Sequence, residues 1–160
     1  MKALRTAPVG KAASLLSDEA VEAFWRDGFI QLPDFLDPDL AARAAARFEA
    51  LFKGDFPTGI YPDEWNWREG RDATDLTRQI CNGWKSDSLI ASIVLSAKIG
   101  EICAQLAGWP GARIGQDNLL WKPPGAKALG FHQDDSYCTW VMPSNYVTCW
   151  IALDATRADG

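Results

Sequence analysis

His132 and Asp134, separated by Gln133, are the residues whose types and spacing most readily do chemistry in this chain. Imidazole and carboxylate both hold metal ions. In an extended segment, residues two apart share a face and stand about 6.5 Å apart along the chain, at a rise of ~3.3 Å per residue. Side chains of that reach can converge on one ion. Imidazole plus carboxylate suits a ferrous ion, with positions left open if a further histidine completes a facial triad. Gln133 would then point to the opposite face. His132 is the only histidine of the 160 residues, so a third ligand must be sought elsewhere. Taken alone, His-x-Asp is a common pattern, and a lone histidine is more often a surface or hydrogen-bonded residue than a ligand. The cysteines, Cys81, Cys103, Cys138 and Cys149, form no C-x-x-C pair. Structural zinc brings its ligands in closely spaced pairs, so buried reduced thiols are expected here rather than zinc or disulfides.

Helices and strands must hold these groups in place. Ser17 followed by Asp18 and Glu19 predicts a helix start, with Val21, Phe24 and Trp25 at helical spacing and Gly28 as its C-terminal cap. Phe29 to Leu32 reads as a short strand closed by Pro33. Asp37-Pro38 predicts a second helix, its stripe formed by Leu40, Ala44, Phe48 and Leu51. Residues 55–75 read as a long loop of the kind that forms functional lids. Its Tyr61, Trp65 and Trp67, with Tyr137 and Trp140 further on, could shape an apolar substrate pocket. A further helical segment begins at Asp87 and continues to Gly108. After Pro110 the texture becomes strand-like, over Ala112 to Trp121, Leu129 to Asp134 and Val147 to Leu153. In the last of these Val147, Cys149, Ile151 and Leu153 alternate with Thr148, Trp150 and Ala152. Helices first and strands after predict an α+β domain whose helices back a mostly antiparallel sheet. A tail over 1–16, a mainly helical part over 17–110 and strands over 111–160 complete the expected organisation.

Composition narrows the function classes. With 48% hydrophobic and 23% charged residues, the 160-residue chain is of ordinary globular make-up and long enough for one domain with a core. Its net charge of -5, without a long run of either sign, disfavours nucleic acid and anionic membrane as partners. No uninterrupted apolar stretch approaches the ~20 residues that span a bilayer. Met1 to Ser17 carries Lys2, Arg5 and Lys11 but no continuous apolar run, so a secretory signal is not expected and the cytoplasm is the expected location. Trp150 to Gly160 runs from a core strand into a turn and stops, which predicts a domain truncated at its C-terminus.

Larger blocks carry a family resemblance. They are Trp121-Lys122-Pro123-Pro124-Gly125, then His132-Gln133-Asp134 with Tyr137, then Val147 to Thr156, then Asp159-Gly160. Upstream, Phe24-Trp25-x-Asp27-Gly28-Phe29-Ile30 followed by Phe35-Leu36 adds to them. In order and spacing the chain resembles the phytanoyl-CoA dioxygenase family of iron and 2-oxoglutarate oxygenases, most closely over residues 115–160. The resemblance implies a double-stranded β-helix, or jelly-roll barrel, preceded by helices, with the C-terminal part of the barrel missing here. It implies His132 and Asp134 as Fe(2+) ligands. It places 2-oxoglutarate near Asn118 and Trp150, with Gln133 beside the pocket and Arg78, or failing that Lys85, as an assisting basic residue. Each also has a plainer alternative: Trp150 as core, Asn118 as a sheet-edge polar group, Arg78 as a solvated charge.

The resemblance further implies hydroxylation of a small organic substrate by dioxygen, coupled to conversion of 2-oxoglutarate into succinate and carbon dioxide. Related halogenases replace the carboxylate ligand with a small residue, so Asp134 favours hydroxylation. The family's third ligand, a histidine in a Gly-Ser-His-like segment, and the arginine that grips 2-oxoglutarate have no counterpart within this sequence. These 160 residues alone are therefore expected to be inactive, to bind iron weakly and to expose apolar sheet. A non-catalytic jelly-roll binding or structural domain is the alternative, and a cupin-type metalloprotein with another metal is a third.

Overall fold

The computed structural model describes residues 14–156; the expected tail over residues 1–13 and the Asp159-Gly160 pair lie outside them. Ser17 opens helix α1 (Asp18–Asp27), its hydroxyl accepting from the Ala20 amide. Gly28 closes it at φ 81°, a left-handed conformation in which its N–H reaches the Phe24 carbonyl. Asp37 caps α2 (Pro38–Phe52) through the Asp39 and Leu40 amides, with Pro38 in the first turn where no N–H is needed. Asp87 caps α3 (Ser88–Val94) in the same way, and α4 (Ala97–Ala107) ends at the left-handed Gly108. Between and after these helices run three short strands, β1 (Glu64–Trp65), β2 (Arg78–Cys81) and β3 (Asn118–Trp121). They form an antiparallel sheet in the order β1-β2-β3, with Arg78 opposite Trp121 and Cys81 opposite Asn118.

Strand alternation gives the sheet two unlike sides. Ile80 and Leu119, paired across β2 and β3, enter a core with Ala44, Leu51 and Phe52 of α2 and Ile90 and Ile93 of α3. Gln79, Asn118 and Leu120 stand on the other, open side. A second cluster, Leu16, Ile102 and Leu106, joins α1 to α4. It holds the chain before α1 in place, because Gln105 accepts from the amides of Leu15 and Leu16 and donates to the Leu16 carbonyl. The last residues of the expected 1–16 tail are therefore docked.

Several expected elements take a different form. Residues 29–32 make no strand; Ile30 and Leu32 pack on the second cluster instead. The segment after Asp87 is two helices, broken at Leu95 and Ser96. Ser88–Ala107 is, at 20 residues, long and apolar enough to cross a membrane, contrary to the expectation that no stretch comes near that length, though the break divides it and both helices bury side chains in the core. The 55–75 loop supplies β1 and the buried Trp67, and Trp65 packs on the core, so these two indoles are structural rather than pocket walls. Of the expected strand Ala112 to Trp121 only the last four residues pair, and residues 129–134 pair with nothing. Val147 to Leu153 keeps its two faces without a ladder: Val147 packs on one cluster, Ile151 and Leu153 on the other, and Thr148 and Trp150 are exposed. A strand needs a hydrogen-bonded neighbour, and among the described residues this segment has none. The fold is α+β with an open three-stranded sheet; the described residues close no barrel. Cys149 is exposed, unlike the buried Cys81, whose thiol is pushed up to about 11, chiefly by desolvation.

Candidate metal and co-substrate site

Beneath the open side of the sheet lies a broad concavity of about 3510 Å³ bordered by Asn118, Trp121, His132, Asp134, Tyr137 and Trp150. Apolar side chains on this side are left in solvent, among them Leu129, Phe131, Trp140 and Trp150. These four belong to no strand; of the apolar sheet expected to be exposed, Leu120 of β3 alone is left in solvent among the described residues.

His132 and Asp134 meet, but not across a strand. Gln133 is the last extended residue, and Asp134–Ser136 then tightens into a 3-10 turn closed by the Tyr137 and Cys138 amides on the Asp134 carbonyl. The turn swings the carboxylate back toward the imidazole, leaving Nε2 of His132 3.5 Å from Oδ1 of Asp134. Both side chains are a little over two-fifths exposed. The remaining polar atom of each is engaged. His132 Nδ1 stands 2.9 Å from the Gly130 carbonyl oxygen, which in the neutral ring puts the proton on Nδ1 and the lone pair on Nε2. Thr148 donates to Asp134 Oδ2 at 2.7 Å, leaving Oδ1 to face the imidazole. The Tyr137 ring meets the imidazole edge-on at 5.4 Å. Ser144 donates to Asp135 in the same turn. The Tyr146 phenol is held above its ordinary range first by desolvation and then by Cys138, Asp135 and Asp134.

Do these donors fit a metal? Ligand atoms about 2.1 Å from one ion at adjacent octahedral positions lie about 3 Å apart. At those ligand distances the 3.5 Å separation of Nε2 and Oδ1 subtends roughly 110° at the ion, and a closing of about half an ångström would bring it to the octahedral value. Two donors fit; among the described residues no group of three or more His, Cys, Asp or Glu side chains stands together.

The expected co-substrate residues divide. Asn118 and Trp150 border the concavity. The Oδ1 of Asn118 accepts from Gln79 at 2.8 Å and from Gln116 at 3.2 Å, so its own amide N–H groups remain available to a ligand. Gln133 is exposed but does not border the concavity. Arg78 lies on the helix side of β2, its guanidinium stacked 3.7 Å from the Trp67 ring and 4.4 Å from that of Trp121. Lys85 is paired with Asp63 at 2.7 Å. Neither basic residue borders the concavity; Arg113 and Lys122 do. Sequence reasoning passed over Thr148, Gln79 and Arg113. Thr148 sits on the non-core face of the alternating 147–153 segment and Gln79 between Arg78 and Ile80, so strand alternation was the signal for both; Arg113 had none.

Neither the curated proteins nor the solved structures compared with the chain gave a match. The family profile of phytanoyl-CoA dioxygenase (PhyH) matches residues 24–160, a span that takes in the first core cluster, Ile102 and Leu106 of the second, the sheet and the His132–Asp134 turn. Members of that family in general use Fe(II) and 2-oxoglutarate, and their fold is of the cupin, jelly-roll type. With that match over most of its length, the chain belongs to the phytanoyl-CoA dioxygenase family.

Proposed function

We propose that this chain forms part of an Fe(II)- and 2-oxoglutarate-dependent dioxygenase that hydroxylates a small organic substrate, with His132 Nε2 and Asp134 Oδ1 as two of its metal ligands. The 3.5 Å approach of those two atoms at the rim of an apolar concavity, inside the matched span, carries the reading. Iron held there would couple decarboxylation of 2-oxoglutarate to hydroxylation of a C–H bond. The chain's own residues would do the rest. His132 and Asp134 hold the metal on one side and leave the other open. Asn118, through its free N–H groups, and Trp150, through its exposed ring, bind and orient the co-substrate. Tyr137 and Trp140 offer apolar wall to a substrate. The sole histidine is already used, so a facial triad requires a ligand from outside these 160 residues.

The test is succinate release by a form of the protein that includes such a ligand. Release should require both Fe(II) and 2-oxoglutarate, and Asp134→Ala should abolish it while leaving the unfolding midpoint within error of the parent. Turnover retained by Asp134→Ala would remove Asp134 from the site. Succinate release absent under every condition would favour a binding module.

A further inference from the structure

We infer that Thr148 is a positioning residue that fixes the orientation of the Asp134 carboxylate, so that one oxygen faces the metal and the other faces the protein, an inference that rests on the metal reading above. A free carboxylate presents two equivalent oxygens, and rotation about its Cβ–Cγ bond exchanges them. Here one orientation of the carboxylate plane is favoured, because the Thr148 hydroxyl donates to Oδ2 at 2.7 Å, the length of a charge-assisted O–H···O bond. Oδ1 is left alone toward His132 Nε2, 3.5 Å away. The Gly130 carbonyl does the matching work on the imidazole by holding Nδ1. Each ligand side chain thus has one polar atom tied to the protein and one presented, the arrangement by which outer-shell partners orient metal ligands. With Oδ2 engaged, Asp134 can offer one oxygen rather than two, which keeps coordination positions free for co-substrate and dioxygen.

The carrier of that hydroxyl suits the task. Asp134 lies on an exposed 3-10 turn, whereas Thr148 is 14 residues away in a segment whose other face is seated on the helical core through Ile151 and Leu153. A β-branched threonine has few χ1 choices, so its hydroxyl direction follows the backbone. Thr148 therefore transmits the position of the core to the rim of the site.

The experiment titrates the 160-residue chain with Co(II), followed by its visible absorption, for the parent, Thr148→Val, Thr148→Ser and Asp134→Ala. Thr148→Val keeps the shape and loses the donor; its Co(II) dissociation constant should rise about 10- to 100-fold, while Thr148→Ser restores parental affinity. A second readout uses the single histidine. Zn(II) added to 15N-labelled parent protein should shift Nε2 and leave the proton on Nδ1. Thr148→Val binding Co(II) like the parent, while Asp134→Ala does not, would overturn the inference and leave the metal reading standing. Loss of affinity in Thr148→Ser equal to that in Thr148→Val would also overturn it, since the hydroxyl would then not be the cause. If Asp134→Ala binds like the parent, or Zn(II) leaves the imidazole unmoved, the metal reading fails first.

Discussion

Asp87→Ala removes the group that fastens α3 to α2, and its cost follows from the bonds it breaks. The Asp87 side chain is 3% exposed. Its Oδ1 accepts from the Leu89 amide at 2.8 Å and the Ile90 amide at 3.1 Å, and its Oδ2 accepts from Arg47 Nε at 2.6 Å. Losing the cap costs up to about 2 kcal/mol. Losing a hydrogen bond between charged partners adds roughly 1.5–3 kcal/mol, because Arg47 is left half-buried with an Nη2 that already lacks a hydrogen-bond partner. Asp55, ion-paired with that Nη2 at 3.5 Å but largely exposed, offsets only part of this loss. The sum, about 2–5 kcal/mol, overlaps the ~3–5 kcal/mol usual for stranding one member of a buried pair. With a slope of about 2 kcal/mol per molar, the urea midpoint should fall by roughly 1–2.5 M. Asp87→Asn keeps an acceptor for the cap and should lose clearly less. Urea unfolding followed by tryptophan fluorescence measures all of this. A loss below about 1 kcal/mol for Asp87→Ala would refute the attribution to cap and pair.

Two further changes probe how the loops are held. Asp117 is pushed up to about 6, first by desolvation and then by Asp63, against stabilising bonds from the Trp84 and Gly83 amides. A carboxyl raised in the folded state contributes stability that is full below its unfolded value of 3.8 and is lost as pH climbs through about 6. Urea midpoints at pH 4.5 and 7.5 should therefore differ less in Asp117→Asn than in the parent, and equal differences would contradict this. Gly54 has φ +91°, and a methyl group there would run into the Trp65 indole, which is fixed by its bond to the Phe52 carbonyl. Gly54→Ala should lose about 2 kcal/mol in the same assay, whereas a neutral result would mean that the indole moves aside.

Local signals survived into the structure better than pairing did. Ser17, Asp37 and Asp87 cap helices, and Gly28 and Gly108 end them, because capping depends only on neighbouring amides. Strand ladders depend on a partner that alternation cannot name. Val147 to Leu153 accordingly kept its two faces and gained no ladder, and the three strands that do pair are two to four residues long. The His132–Asp134 pair was legible from spacing, yet the turn that brings its atoms together was not, since an extended Gln133 followed by a 3-10 turn leaves no residue signature. Arg78 shows the limit on long-range inference. The family resemblance placed it beside the pocket, but in β2 it shares a face with Ile80, and that face is the helical core.

The two-sided 147–153 segment separates what folding constrains from what chemistry can vary. Val147, Ile151 and Leu153 are answerable to the helices behind them, whereas the side chains at 148, 150 and 152 owe the core almost nothing. Changes along this row therefore fall on ligand orientation and co-substrate contact, at little expense to thermal endurance. A library randomised at 150 and 152 should retain folded members at far higher frequency than one randomised at 151 and 153.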